Sequence, residues 1–188
     1  MKRKTIISYS TMMLTTALLS SNVFNATAQT DNSVGEKLKN LHVEEHLGIC
    51  SPASSLMPTD LSIGLVYQFT PRFSAQILSS GQYFVPKNGM TNKYNYAFGL
   101  GGGIGFSPFP IDPNAFGVYE IRASFTAPIS NSDYKNMGYG IGIYWRGNTN
   151  NYRHKLVPLV GVEYRIHDFD ANGLKTFNGF YATFGLRF

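Results

Sequence analysis

The chain has 188 residues, of which 16 are Lys or Arg and 11 Asp or Glu, a formal net charge of +5, and it carries one cysteine and only 14% charged residues. A single cysteine excludes an intramolecular disulfide scaffold, and no run approaches the roughly eighteen consecutive apolar residues of a helical membrane span. Three of the basic residues, Lys2, Arg3 and Lys4, stand at the extreme N-terminus. The remaining thirteen face eleven acidic residues, a net +2 with no Lys/Arg cluster, which sets aside nucleic-acid binding.

Lys2 to Lys4 form a basic n-region, Ile6 to Phe24 is weakly apolar and broken by Ser, Thr and Asn, and Ala26-Thr27-Ala28 supplies the small-residue pattern of a cleavage site. Residues 1–28 therefore read as a secretory signal peptide, and 29–40 as a short N-terminal periplasmic segment ahead of a single domain over 41–188. Leu47-Gly48-Ile49-Cys50 has the outline of a lipobox, but Ile49 is too large for its position and the site lies far beyond the apolar region. Cys50 reads instead as a small, partly buried thiol.

Along the rest of the chain the recurring signal is alternation with period two, the mark of β-strands with two unlike faces. Leu41 to Cys50 is the least regular instance. Leu41, Val43, Leu47 and Ile49 share a face with Glu45, while His42, Glu44 and His46 take the other, and a short amphipathic helix is the competing reading. In Leu61 to Phe69, bulky residues alternate with Ser62, Gly64, Val66 and Gln68, and Thr70-Pro71-Arg72 is a tight turn into Phe73 to Leu78. Tyr94 to Phe106 is the clearest strand, with Tyr94, Tyr96, Phe98, Leu100, Ile104 and Phe106 opposite Asn95, Ala97, Gly99, Gly101, Gly103 and Gly105. A glycine face buries no side chain of its own, but it leaves room in a narrow barrel for large groups reaching across the lumen. Tyr119 to Thr126, Met137 to Trp145, Val160 to His167 and Phe177 to Phe188 continue the series, separated by Pro-, Asn-, Asp- and Gly-rich turns or loops at Ser107 to Ala115, Pro128 to Asn136, Gly147 to Tyr152 and Asp168 to Thr176.

Seven regular strands are one short of the even number that a bacterial membrane barrel requires, and Leu41 to Cys50 is the candidate for the eighth. The fold expected is all-β: a single antiparallel up-and-down transmembrane β-barrel of eight strands, too narrow for a general diffusion pore. If the register holds, Glu44, Glu120 and Glu163 meet Arg122, Arg165 and Arg187 inside, with His42, His46 and His167 on the same side. Such a set reads as a structural network that pairs polar groups within a barrel whose outside faces lipid. His42, Glu44 and His46 are too few for a zinc site, which calls for three or more ligands, and no cofactor is expected. Ser51, Ser79, Ser80 and Ser132 fall in no recognisable nucleophile motif, so an enzyme is not expected.

Aromatic residues fall near the expected strand ends, among them Tyr67, Phe69, Phe73, Tyr94, Tyr96, Phe106, Phe116, Phe125, Trp145, Phe180 and Phe188, as interfacial girdles do. A soluble lipocalin-like barrel would need the reverse arrangement, with bulky groups inward and many charges outward. The cleavage pattern, the dyad repeats and the closing run Phe180, Ala182, Phe184, Leu186, Phe188 resemble those of the small bacterial outer-membrane barrels of the OmpX and OmpA transmembrane-domain type. The resemblance implies that Phe184, Leu186 and Phe188 form a C-terminal signal read by the barrel-assembly machinery. It also implies outer-membrane lipid and lipopolysaccharide as surroundings, and periplasmic chain ends. Ser51 to Asp60, Val85 to Lys93, Pro128 to Asn136 and Asp168 to Thr176 then become extracellular loops, where any partner, whose identity the residues do not indicate, would bind. Lipid A-modifying barrel enzymes and soluble secreted β-proteins are the alternatives.

Overall fold

The computed structural model describes residues 40–50, 56–86, 96–112, 114–129, 135–148, 156–170 and 176–188. The signal peptide and all but the last residue of the 29–40 segment lie outside them, as do Tyr94, Asn95, Ser51 and Ser132. Eight strands, β1 (Leu41–Cys50), β2 (Leu56–Gln68), β3 (Phe73–Pro86), β4 (Tyr96–Phe106), β5 (Gly117–Pro128), β6 (Lys135–Gly147), β7 (Val157–Asp170) and β8 (Phe177–Arg187), close into an antiparallel barrel in sequence order. Leu41–Cys50 is thus a strand and not a helix. It pairs with β2 on one side and with β8 on the other, closing the ring.

The pairings fix the shape. Starting from Glu44, the partners run Gly64, Leu78, Gly101, Thr126, Gly138, His167 and Phe177, while the β8 residue beside Glu44 is Arg187, ten positions from Phe177. A stagger of ten over eight strands tilts the strands by about 41° and sets a radius of about 8 Å, from the spacings of ordinary sheets. Side chains on one wall can therefore reach those on the other.

Several boundaries differ from those read in the sequence. β2 begins at Leu56, so Leu56 to Asp60 belongs to a strand and not to a loop, and β3 continues through Ser79, Ser80 and Gln82 to Pro86, which removes Val85 and Pro86 from the next loop. Pro128 ends β5, Lys135 and Asn136 open β6, and Asp168 to Asp170 complete β7, so the loops expected there are shorter. The common cause is that Pro, Asp, Ser and Asn act as turn residues only when their side chains have no better use. Here Asp60, Ser80, Gln82 and Asn136 are buried on the inner face.

Burial alternates along each strand in a sense opposite to that of a soluble barrel. The inward set includes Glu44, Asp60, Ser62, Ser74, Ser80, Gln82, Glu120, Arg122, Glu163, His167 and Arg187, all buried, whereas Ile77, Ile104, Ile141, Ile143 and Val162 point outward and are more than half exposed. At the end where β1 begins and β8 ends, Val66, Val118, Val157 and Leu159 line the lumen, and the turns are tied down. Thr70 Oγ1 accepts from the amides of Arg72 and Phe73, and the side-chain amide of Asn148 donates to the carbonyls of Asp112 and Ala115.

Inner-face glycines seat neighbouring side chains. A Cβ at Gly161 would collide with the ring of Tyr144, which lies across it from the paired position on β6. Replacing Gly161 with Val is expected to destabilise the barrel by about 1–3 kcal/mol through overpacking, measured by urea unfolding of the protein refolded in lipid or detergent.

Candidate functional site

Among the described residues, ionisable side chains from distant parts of the chain converge in the lumen. Two clusters occupy it. In the first, near the terminal end, Glu44 of β1 is fully buried and takes two bonds from Arg122 (Nη1 to Oε2 at 2.5 Å and Nη2 to Oε1 at 3.0 Å). It also takes one from Arg187 (Nε to Oε1 at 2.5 Å) and contacts His46 Nε2 at 3.0 Å. β5 stands opposite β1 in the ring, so the Arg122 to Glu44 pair spans the barrel. Arg122 also bonds Glu120 at 2.8 Å, and Ser74 Oγ donates to the other Glu120 oxygen at 2.6 Å.

The second cluster, nearer the other end, centres on Arg165 of β7. It pairs with Asp60 of β2 at 2.7 Å and with Glu163 at 2.8 Å. Glu163 receives the hydroxyls of Ser124 at 2.9 Å and Tyr144 at 2.7 Å. Beside it, His167 Nε2 meets the Tyr181 hydroxyl at 2.8 Å, His167 Nδ1 lies 3.4 Å from Asn136, and Asn136 donates to Gln82.

The clusters repeat one motif two strands apart. Ser74, Gly105, Glu120, Arg122 and Tyr144 lie on β3, β4, β5, β5 and β6; Ser124, Gly140, Glu163, Arg165 and Tyr181 lie on β5, β6, β7, β7 and β8. In each, the serine bonds the glutamate over the intervening glycine, where a Cβ would strike both groups. The glutamate pairs with the arginine two residues on, and the guanidinium lies over the tyrosine ring, at 4.9 Å for Arg122 on Tyr144 and 4.7 Å for Arg165 on Tyr181. The arginine then reaches across the lumen to a second acid, Glu44 or Asp60.

Of the nine inward polar residues expected from the sequence, Glu44, His46, Glu120, Arg122, Glu163, Arg165, His167 and Arg187 lie in the lumen within these two groups. Asp60 falls within the loop expected over Ser51 to Asp60, and its parity with Ser62 and Gly64 is the sequence signal for its inner placement. Arg146, also buried, lies on the inner face of β6 and makes no ion pair among the described residues. Ser79 and Ser80 lie within β3 and not near a strand end, Ser79 facing outward and Ser80 inward. His42, Glu44 and His46 share the inner face, but the Glu44 oxygens are taken by Arg122, Arg187 and His46. No group of three His, Cys, Asp or Glu able to hold a metal ion occurs among the described residues.

The outer surface is the second candidate. Placed by register and tilt, Tyr67, Phe73, Phe106, Tyr119, Trp145 and Phe188 form a ring near the terminal end, and Tyr83, Phe98, Phe125, Tyr139, Tyr164 and Phe180 form another roughly 20 Å away along the axis. Rings within each belt touch, as in Phe73 with Phe106 at 4.9 Å between centroids and Tyr164 with Phe180 at 5.1 Å. Between the belts the outward residues are chiefly Leu, Ile, Val and Ala; Glu45 and Ser79 are the polar ones among those described. Phe184 and Leu186 point outward in this zone, 52% and 43% exposed.

The fold and these two surfaces define a narrow eight-stranded barrel with a polar, ion-paired interior and an exposed apolar exterior, an arrangement consistent with a membrane barrel. Compared with protein-family models, curated proteins and solved structures, the chain matches none.

Glu44 is bonded by two buried arginines, so its neutralisation leaves both without their shared counter-charge. Glu44→Gln is expected to cost about 3–5 kcal/mol of stability, read as a lower midpoint of urea unfolding.

Proposed function

We propose that this protein is an integral outer-membrane β-barrel without a wide pore, with a structural, envelope-integrity or surface-interaction role and no enzymatic one. The observation that carries the reading is the exterior: an aliphatic zone around the barrel, edged by two aromatic belts, with the charges turned inward. In water such a surface would drive association, since soluble monomers rarely expose contiguous apolar patches beyond a few hundred Å². In a bilayer the same surface is the stable one, and the belts match the roughly 25 Å apolar band and interfacial aromatic girdles of membrane barrels.

The narrow radius and the two ion-pair clusters support the absence of a wide pore, because side chains from opposite walls meet in the middle. The N-terminal leader pattern and the run Phe184, Leu186, Phe188 support export and recognition by an assembly machinery. The absence of a nucleophile motif favours a non-enzymatic role. With both chain ends in the periplasm, a partner would meet the segments joining β1 to β2, β3 to β4, β5 to β6 and β7 to β8.

Detergent extraction of the membrane fraction, followed by electrophoresis of unheated and boiled samples, tests the reading: recovery with the outer membrane and a heat-dependent mobility shift are expected. Recovery without detergent and with no shift would sink it. Val162 lies near the middle of the aliphatic zone and is 57% exposed. Val162→Arg is therefore expected to cost about 2–4 kcal/mol for folding into a bilayer, measured by denaturant titration in lipid vesicles, where a water-exposed site would show almost no change.

A further inference from the structure

Toward the end where β1 begins and β8 ends, the inner face carries three arginines and two glutamates. Arg122 and Arg187 bond Glu44, and Arg122 also bonds Glu120. The oxygens of both acids are taken up by these bonds and by those of His46 and Ser74. Arg146 of β6 is the third arginine. It is 7% exposed, its guanidinium makes no ion pair among the described residues, and its Nε is buried without a hydrogen-bond partner. Its register partners, Val118 of β5 and Leu159 of β7, are buried and apolar and offer it no acceptor side chain. Arg122 and Arg187 repel it, while Glu44 and Glu120 attract it only from a distance, being bonded elsewhere. His42 lies within reach of the charges of Arg146 and Arg187, and a histidine supplies no negative charge in either protonation state.

Three arginines against two glutamates leave one buried positive charge without a counter-charge, and a buried charge that is neither paired nor hydrogen-bonded is strongly unfavourable. We infer that Arg146 anchors an anion-binding site at this end of the lumen, and that its ligand is a small, monovalent, weakly hydrated anion of the chloride type. The excess of one charge selects the valence, since a divalent anion would leave the group negative. The wall selects the hydration. Val66, Val118, Val157 and Leu159 line the lumen here, and apolar side chains cannot replace the water that phosphate or sulfate would have to give up, whereas a halide sheds its water more readily. A guanidinium is a donor only, so a bare halide accepts from it and needs no donor group in return. Water alone does not complete the site, because it brings no charge. The inference rests on the inner face and stands whether or not the exterior meets lipid.

Crystals of the full chain soaked in sodium bromide test it directly. An anomalous bromide peak within hydrogen-bonding reach of the Arg146 guanidinium is expected; a guanidinium that meets only water, or that bonds a protein acceptor such as the Phe188 carboxylate, overturns the proposal. Stability gives an independent test. The urea midpoint of the protein refolded in uncharged detergent is compared in sodium chloride and in sodium gluconate, a bulky and well-hydrated anion, at matched ionic strength so that screening is the same in both. An anion that binds only the folded state raises the midpoint as its concentration rises. The wild type is therefore expected to gain a chloride-specific shift that Arg146→Met loses and Arg146→Lys keeps in part. In gluconate the methionine variant is the more stable, because the uncompensated charge is gone, and the wild type closes that gap as chloride is added. A chloride response of equal size in the wild type and Arg146→Met overturns the proposal. A wild-type midpoint that chloride does not move more than gluconate does so whatever the variants do.

Discussion

A cylinder about 8 Å in radius, which eight strands with a stagger of ten produce, leaves inside only the space that side chains from facing walls can fill by meeting. This governs the rest of the molecule. Any charge placed on the inner face lies within reach of the opposite wall, so it must find a counter-charge there or remain buried and unpaired, a cost of several kcal/mol. Glu44 with Arg122, and Asp60 with Arg165, satisfy the condition, Arg187 comes within 4.0 Å of Glu120, and Arg146 is a buried charge that makes no ion pair among the described residues. The other ion pairs, hydroxyls and rings build around them.

The same radius explains the glycines. Arg, Glu and Tyr on β5, β6 and β7 are too large to stand side by side around so small a circumference. They lie sideways over neighbours that have no Cβ: Glu120 over Gly105, Glu163 over Gly140, and Tyr144 over Gly161. The Ser, Gly, Glu, Arg and Tyr positions recur two strands on because an advance of two strands restores the chain direction, so the same local packing is available again.

Turning the polar groups inward leaves the apolar half of every strand outside. Usual burial is therefore reversed: the buried side chains are mainly polar, and the exposed ones mainly aliphatic or aromatic. The inner network provides internal partners for groups that water would otherwise hydrate. The outer belts provide an apolar zone whose height follows from strand length and tilt together.

Much of this was legible in the chain. Which side each residue of Tyr94 to Phe106, Tyr119 to Thr126 or Val160 to His167 would face follows from the period of a strand, a local property, and the inner placement of Glu44, Glu120, Arg122, Glu163, Arg165, His167 and Arg187 follows from it. The full lengths of β2 and β3 were not legible, because Pro58, Asp60, Ser80 and Gln82 have the composition of a turn and become strand residues only where partners on other strands hold them. Nor was the repeat of serine, glycine, glutamate, arginine and tyrosine, whose members are scattered along the chain. The sequence by itself thus determined the element type and the two-faced character of each strand, since alternation is dictated by backbone stereochemistry one residue at a time. Only the tertiary structure decided which acid meets which arginine, because that depends on the stagger accumulated around all eight strands, a quantity that exists only once the ring is closed.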